Sequence, residues 1–192
     1  MLDQIRHAFQ DSISVKQAFV ERYADPIAAA AKVMIAAFKK GHKVLLFGNG
    51  GSATDASHLA AEFVNRFQRD REGLPALALT CDQSVITSIS NDYDYQEIFS
   101  RQLRALGRKG DVAIGISTSG NSPNVLRAIE AAKPLGLVTI GFTGKDGGKL
   151  ATMVDHAFIV PSNLTSRIQE THITLGHVLC ELVEDALFPA GR

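Results

Sequence analysis

Two rhythms of apolar residues alternate along the chain. Short, nearly continuous apolar runs occur at 43–47, 74–79, 111–116, 137–142 and 155–160. Runs of this length, rich in β-branched residues and bounded by turn signals, read as buried strands. Between them apolar residues recur every three or four positions, which predicts helices at about 53–67, 84–90, 96–106, 123–133 and 165–188, with a short one after 148. Asn91-Asp92-Tyr93-Asp94-Tyr95 interrupts that pattern. Two more helices are expected before the first strand. One carries Leu2, Ile5, Phe9, Ile13, Val15 and Phe19; the other runs through Ile27, Ala31, Met34, Ile35 and Phe38 to Gly41. Asp25-Pro26 separates them, as an N-cap followed by proline at the first helical position. The basic stretch Arg66–Gly73 reads as a mobile, solvated connection.

Strands that alternate with helices give an α/β class with a parallel sheet. No repeat, low-complexity tract or interdomain linker divides the chain, so residues 1–192 are expected to form one domain: a helical pair over 1–40, then an α/β core over 41–192. In such sheets ligands bind beyond the carboxyl ends of the strands, near the switch in strand order.

Two polar junctions sit at strand carboxyl ends. The first is Gly48-Asn49-Gly50-Gly51-Ser52, between the 43–47 strand and an Ala-rich helix. Glycines admit positive φ and close approach to a ligand. A helix start offers unpaired N–H groups and the positive end of its dipole, an arrangement that favours phosphate. The same residues alone also suit a plain sharp turn. The second junction is Ser117-Thr118-Ser119-Gly120-Asn121-Ser122-Pro123-Asn124. Its hydroxyls and N–H groups converge as a phosphate requires, although a Ser-rich helix cap is the alternative. Neither junction is a Walker loop or a Gly-x-Gly-x-x-Gly dinucleotide fingerprint.

Composition narrows the class without naming a chemistry. Of 192 residues, 45% are hydrophobic and 21% charged, which is globular and not disordered. Formal net charge is +0, so no global field steers the chain to nucleic acid or an anionic membrane. Cys81 and Cys180 form no spaced ligand motif and suit reduced thiols. The N-terminus lacks an apolar signal core, and no run approaches the ~20 residues of a membrane span. A cytoplasmic protein is expected.

Catalytic candidates lie on two helices. His58 and Glu62, spaced i, i+4, share a helix face, which suits either a shared metal ion or an acid/base pair. The last helix carries Gln169, His172 and His177 among core residues. Gln169 and His177 are eight apart, a rise of ~12 Å and about 80° of rotation, so they meet at one point only if both lean inward.

Gly-Asn-Gly-Gly-Ser with His58 and Glu62, Ser-Thr-Ser-Gly-Asn-Ser at 117–122, Thr-Gly-Lys-Asp-Gly-Gly at 143–148 and Arg-Ile-Gln-Glu at 167–170 together resemble the sugar isomerase (SIS) domain family, in its heptose-phosphate branch. The resemblance spans the whole chain. It implies a five-stranded parallel sheet flanked by helices in a flavodoxin-like three-layer arrangement, and a homotetramer with active sites at subunit interfaces. It implies one zinc per subunit, held by His58, Glu62, Gln169 and His177. Substrate contact is implied for Asn49, Gly50, Gly51, Ser52, Glu62, Asn91, Asp92, Ser117, Thr118, Ser119, Ser122 and Gln169, and catalysis for Glu62 and His177.

The activity so implied is aldose–ketose isomerisation of a phosphorylated seven-carbon sugar through an enediol, the first step towards ADP-heptose. A relative that binds the bacterial replication initiator shares the fold and most motifs; a binding module of that kind is the alternative. A sugar-phosphate sensor is a further rival, and the absence of a DNA-binding motif argues against a transcriptional one.

Overall fold

A computed structural model of the chain describes residues 1–189. Its elements are α1 (Leu2–Lys39), β1 (Val44–Gly48), α2 (Gly51–Val64), β2 (Ala76–Ala78), α3 (Gln83–Asp92), α4 (Ile98–Leu106), β3 (Val112–Ser117), α5 (Pro123–Ala132), β4 (Val138–Gly144), α6 (Gly148–Met153), β5 (His156–Val160) and α7 (Thr165–Leu187). A single 3-10 turn, Tyr95–Glu97, leads into α4.

All five strands are parallel, in the order β2-β1-β3-β4-β5. Parallel strands need helical crossovers, and the helices cover both faces, so the strand interiors are apolar throughout. Alternation along β1 shows the two layers. Val44 and Leu46 join a core with α1, α2 and α7, whereas Leu45 and Phe47 join a second core with α3, α4, α5 and α6. Strand order reverses between β1 and β3. The loops leaving these neighbours diverge to opposite faces and open a crevice there.

Before β1 the chain differs from the expected helical pair. α1 is one helix of 38 residues with Pro26 inside it. Pro26 removes one backbone bond, at a cost of ~3 kcal/mol. Phe19, Tyr23, Ile27, Ala30, Met34 and Phe38 nevertheless make one continuous buried stripe across it, against α7 and β5. At ~1.5–3 kcal/mol for each large buried side chain, that stripe outweighs the break.

The Arg66–Gly73 segment is solvent-exposed at most of its positions, as its composition suggests, but its backbone is anchored rather than mobile. The N–H groups of Phe67, Gln68 and Arg69 donate to the carboxylate of Glu184, at 3.1, 2.9 and 3.0 Å. Glu184 is buried on α7, and a charged acceptor in the core organises a backbone that sequence composition reads as free. Among the described residues no helix is long and apolar enough to cross a membrane.

Candidate functional site

The β1–α2 turn is shaped by backbone geometry. Gly50 has φ +56° and ψ −124°, a conformation closed to side-chain-bearing residues, and it directs the chain from strand to helix in two residues. Asn49 is held by three amide and hydroxyl contacts. Its Nδ2 donates to Asn124 Oδ1 (2.9 Å), and its Oδ1 accepts from Asn124 Nδ2 (2.8 Å) and from the Tyr95 hydroxyl (3.1 Å). Asn49, Gly50, Thr80, Ile86 and Tyr95 line a cavity of about 120 Å³ beside the turn. Ser52 is buried at the helix start.

The hydroxyl loop lies on the neighbouring strand tip, across the switch point. Ser117 and Ser122 pair through their hydroxyls at 2.9 Å, and Ser117 and Ser119 approach to 3.5 Å. The loop is backed by the β4–α6 turn: the Leu150 N–H donates to the Gly120 carbonyl, and the Lys149 N–H to Asn121 Oδ1. Pro123 occupies the first position of α5, where its missing N–H costs no intrahelical bond. Thr118 and Ser119 remain partly exposed, so their hydroxyls are open to a ligand.

The third part comes from two helices that run side by side in the same direction. Gln169 at the start of α7 meets the start of α2; a Cβ on Gly51 would come 2.5 Å from its Nε2. Further along, Gly176 lets the helices touch, since a Cβ there would lie 2.5 Å from the Leu59 methyl carbons. That close approach carries the next residue, His177, to His58. Their Nε2 atoms are 2.9 Å apart, so one imidazole N–H donates to the other ring. Glu62 Oε1 lies 3.3 Å from His58 Nε2. Burial, then the neighbouring His58, lowers the pKa of His177 below the ordinary histidine value, with Glu62 opposing. A neutral ring that can both accept and donate is what the pair requires.

The zinc implied by the resemblance is not supported. Among the described residues no group of three or more His, Cys, Asp and Glu side chains is placed to hold a metal ion. Two nitrogens bound to a tetrahedral zinc at ~2.05 Å stand ~3.3 Å apart. The rings of His58 and His177 are closer than that and bonded to each other. His58, Glu62 and His177 therefore contact one another directly rather than forming the expected metal centre, and Gln169 stands apart from them, against Gly51 at the start of α2.

Asn91 and Asp92 belong to α3 rather than to a break, which comes at Tyr93. Both are exposed, and Asn91 Nδ2 donates to Asp92 Oδ1 at 2.8 Å. Three contributors were not singled out from sequence. Asn124 and Tyr95 fix Asn49, and Phe67 lays its ring 5.6 Å from that of His177. Asn124 directly follows the helix-starting Pro123, which was the available signal; Tyr95 and Phe67 offered none, because both reach their partners only through folding. His172, by contrast, is buried, and its Nε2–H donates to the Thr143 carbonyl at 2.9 Å, away from the His58–His177 pair.

Comparison with known proteins gives a consistent picture. A family model described as "SIS domain" matches residues 8–144. The chain is 60% identical to a phosphoheptose isomerase of Thermodesulfovibrio yellowstonii, over 99% of this chain and 96% of the relative. It is 57% identical to the phosphoheptose isomerase of Aquifex aeolicus, covering 96% and 97%. Among solved structures it superposes on phosphoheptose isomerase from Neisseria gonorrhoeae with a TM-score of 0.91 at 43% identity, covering 96% of this chain and 98% of the other.

Proposed function

Since the chain belongs to the SIS-domain family, among the phosphoheptose isomerases, we propose that it interconverts sedoheptulose 7-phosphate and D-glycero-D-manno-heptose 7-phosphate, the step that opens ADP-heptose synthesis. Similarity to isomerases across nearly the full length favours this over an initiator-binding module.

In this reading the phosphate sits in the hydroxyl loop of Ser117, Thr118, Ser119 and Ser122, near the dipole end of α5. Asn49, Gly50, Gly51, Ser52 and Gln169 line the sugar, with Asn91 and Asp92 at the rim. Glu62 takes a proton from C1 of the ketose and returns it to C2. His177 gives a proton to the C2 carbonyl oxygen and accepts one from the C1 hydroxyl. The enediol between these steps is neutral, and nothing leaves the substrate. General acid–base transfer of this kind contributes roughly 10²–10⁴-fold in rate.

The observation that carries the proposal is the meeting of His58, Glu62 and His177 across α2 and α7. The test is an assay of the purified protein and its Glu62→Gln variant with sedoheptulose 7-phosphate. Turnover by the variant should fall by roughly 10²–10⁴-fold while phosphate binding persists. A variant within tenfold of the parent would remove Glu62 from the chemistry.

Assembly into tetramers, with sites completed at subunit interfaces, belongs to the same proposal. Leu2, Ile5, Phe9 and Ile13 on the free half of α1 leave an apolar stripe exposed, which supports a covering copy. Light scattering on the purified protein should give four times the chain mass. A cytoplasmic location is proposed with it, supported by the two unpaired cysteines.

A further inference from the structure

Glu184 lies on α7 two turns beyond His177 and is 2% exposed. The side chain of Arg71, its partner at 2.9 Å, is equally enclosed. Charges removed from water cost several kcal/mol each unless their hydrogen-bonding capacity is filled. Here it is filled in a directed way. The carboxylate accepts three consecutive backbone N–H groups, from Phe67, Gln68 and Arg69, and the Arg71 Nε–H. That fixes the path of the chain at Phe67. Arg71 then donates to the carbonyls of Glu62 (2.9 Å) and Phe63 (2.8 Å), closing the end of α2 where helix carbonyls lack partners.

Two catalytic neighbours are fixed by this one carboxylate. The helix end that bears Glu62 is tied down through Arg71. The Phe67 ring is set against His177 at 5.6 Å and 33° between planes, while His58 meets the same imidazole at 5.1 Å and 60°. His177 is thus bracketed by two rings whose positions have separate origins.

We propose that Glu184, acting through Arg71 and Phe67, is a positioning residue for the isomerisation: it holds the His177 imidazole plane and the Glu62 helix end in the relation that proton exchange needs. The inference rests on the acid–base roles proposed above. Replacing a buried ion pair with apolar residues often leaves stability unchanged, so stability alone does not account for the pair. What it supplies here is the placement of two reacting groups, and misplacement by about 1 Å costs on the order of 10²-fold in rate.

The test compares Phe67→Ala, Phe67→Tyr and Glu184→Gln in the full chain. Phe67→Ala should lower kcat roughly ten- to a hundredfold with KM within about twofold. Phe67→Tyr, which keeps the ring, should restore kcat. Glu184→Gln should follow Phe67→Ala; because it strands Arg71 and risks unfolding, the Phe67 pair decides. A second readout needs no turnover. The ring cross-peaks of His177 in NMR spectra, assigned by their loss in His177→Gln, should move in Phe67→Ala while those of buried His172 stay. Unmoved His177 signals overturn the inference, as does Phe67→Ala with parental kcat or with a change in KM alone. If the parent protein does not turn over sedoheptulose 7-phosphate, the functional reading fails, and the His177 signals alone decide the placement.

Discussion

The hydroxyl loop after β3 and the imidazole–carboxylate group on α2 and α7 hold their shapes by different means. The loop is local. Its serines lie within six residues, bond to one another, and lean on the β4–α6 turn that follows the neighbouring strand. The imidazole–carboxylate group is assembled across 119 residues of sequence, and its geometry depends on how closely two helices pack. Local hydrogen bonds tolerate small shifts of the surrounding fold. A contact between side chains on separate helices depends on the packed seam beneath it, where Gly176 meets Leu59 and a single methyl group is felt. Binding and chemistry should therefore fail separately.

His177→Gln separates them most sharply. Turnover should fall by roughly 10²–10⁴-fold, while KM and inorganic phosphate binding stay near parental values. Equal loss of both would erase the distinction between the two halves.

Acid addresses the support behind the loop. Burial pushes the pKa of His172 down to about 4, against the opposing effect of its bond to the Thr143 carbonyl. Above pH 6.5 neither the folded nor the unfolded chain protonates it. Between 6.5 and about 4 only the unfolded chain takes the proton, so stability falls as pH drops, by about 3 kcal/mol in all from this group. Below about 4 its contribution is constant. Glu184 behaves differently: burial raises its pKa, but the Gln68 and Phe67 N–H groups, Arg71 and the Arg69 N–H outweigh this and hold it below the usual carboxylate value. Its stabilisation is present above the unfolded value and is lost as pH falls through the folded one. Urea unfolding at pH 7 and pH 5 reads this loss together with that of His177, whose pKa is also lowered, and the slope should flatten in His172→Gln.

Gly176→Ala probes the helix contact. The added methyl meets Leu59, and overpacking costs about 1–3 kcal/mol. Thermal unfolding should report that cost, and kcat should fall more than KM rises. The smallest effect is expected at the loop: Ser122→Ala, which removes one hydroxyl beside Ser117, should raise KM about tenfold and leave kcat nearly intact, as measured by steady-state kinetics. A kcat loss there would place chemistry in the half assigned to binding.

Legibility follows the same division. Strand runs, turn glycines and the serine cluster are short-range patterns, and each appears where its periodicity placed it, within a few residues at the ends. Local propensity favours a break at Pro26; a long buried stripe overrides it. The charged composition of Arg66–Gly73 shows its exposure but not its anchoring, because the acceptor, Glu184, lies more than 110 residues away. The expected zinc arose from residue types and family resemblance, whereas the rings meet each other directly.

By itself the sequence determined the alternation of strand and helix, the two polar strand-tip loops and the helix face that His58 shares with Glu62. Those are consequences of hydrophobic periodicity, glycine geometry and i, i+4 spacing, all of which act over a few residues. Tertiary structure alone decided that α1 continues through Pro26, that His177 reaches His58, and that Glu184 gathers the loop bearing Phe67. The reason is one of range: burial and helix contact sum over residues far apart in the chain, and no short window contains both partners.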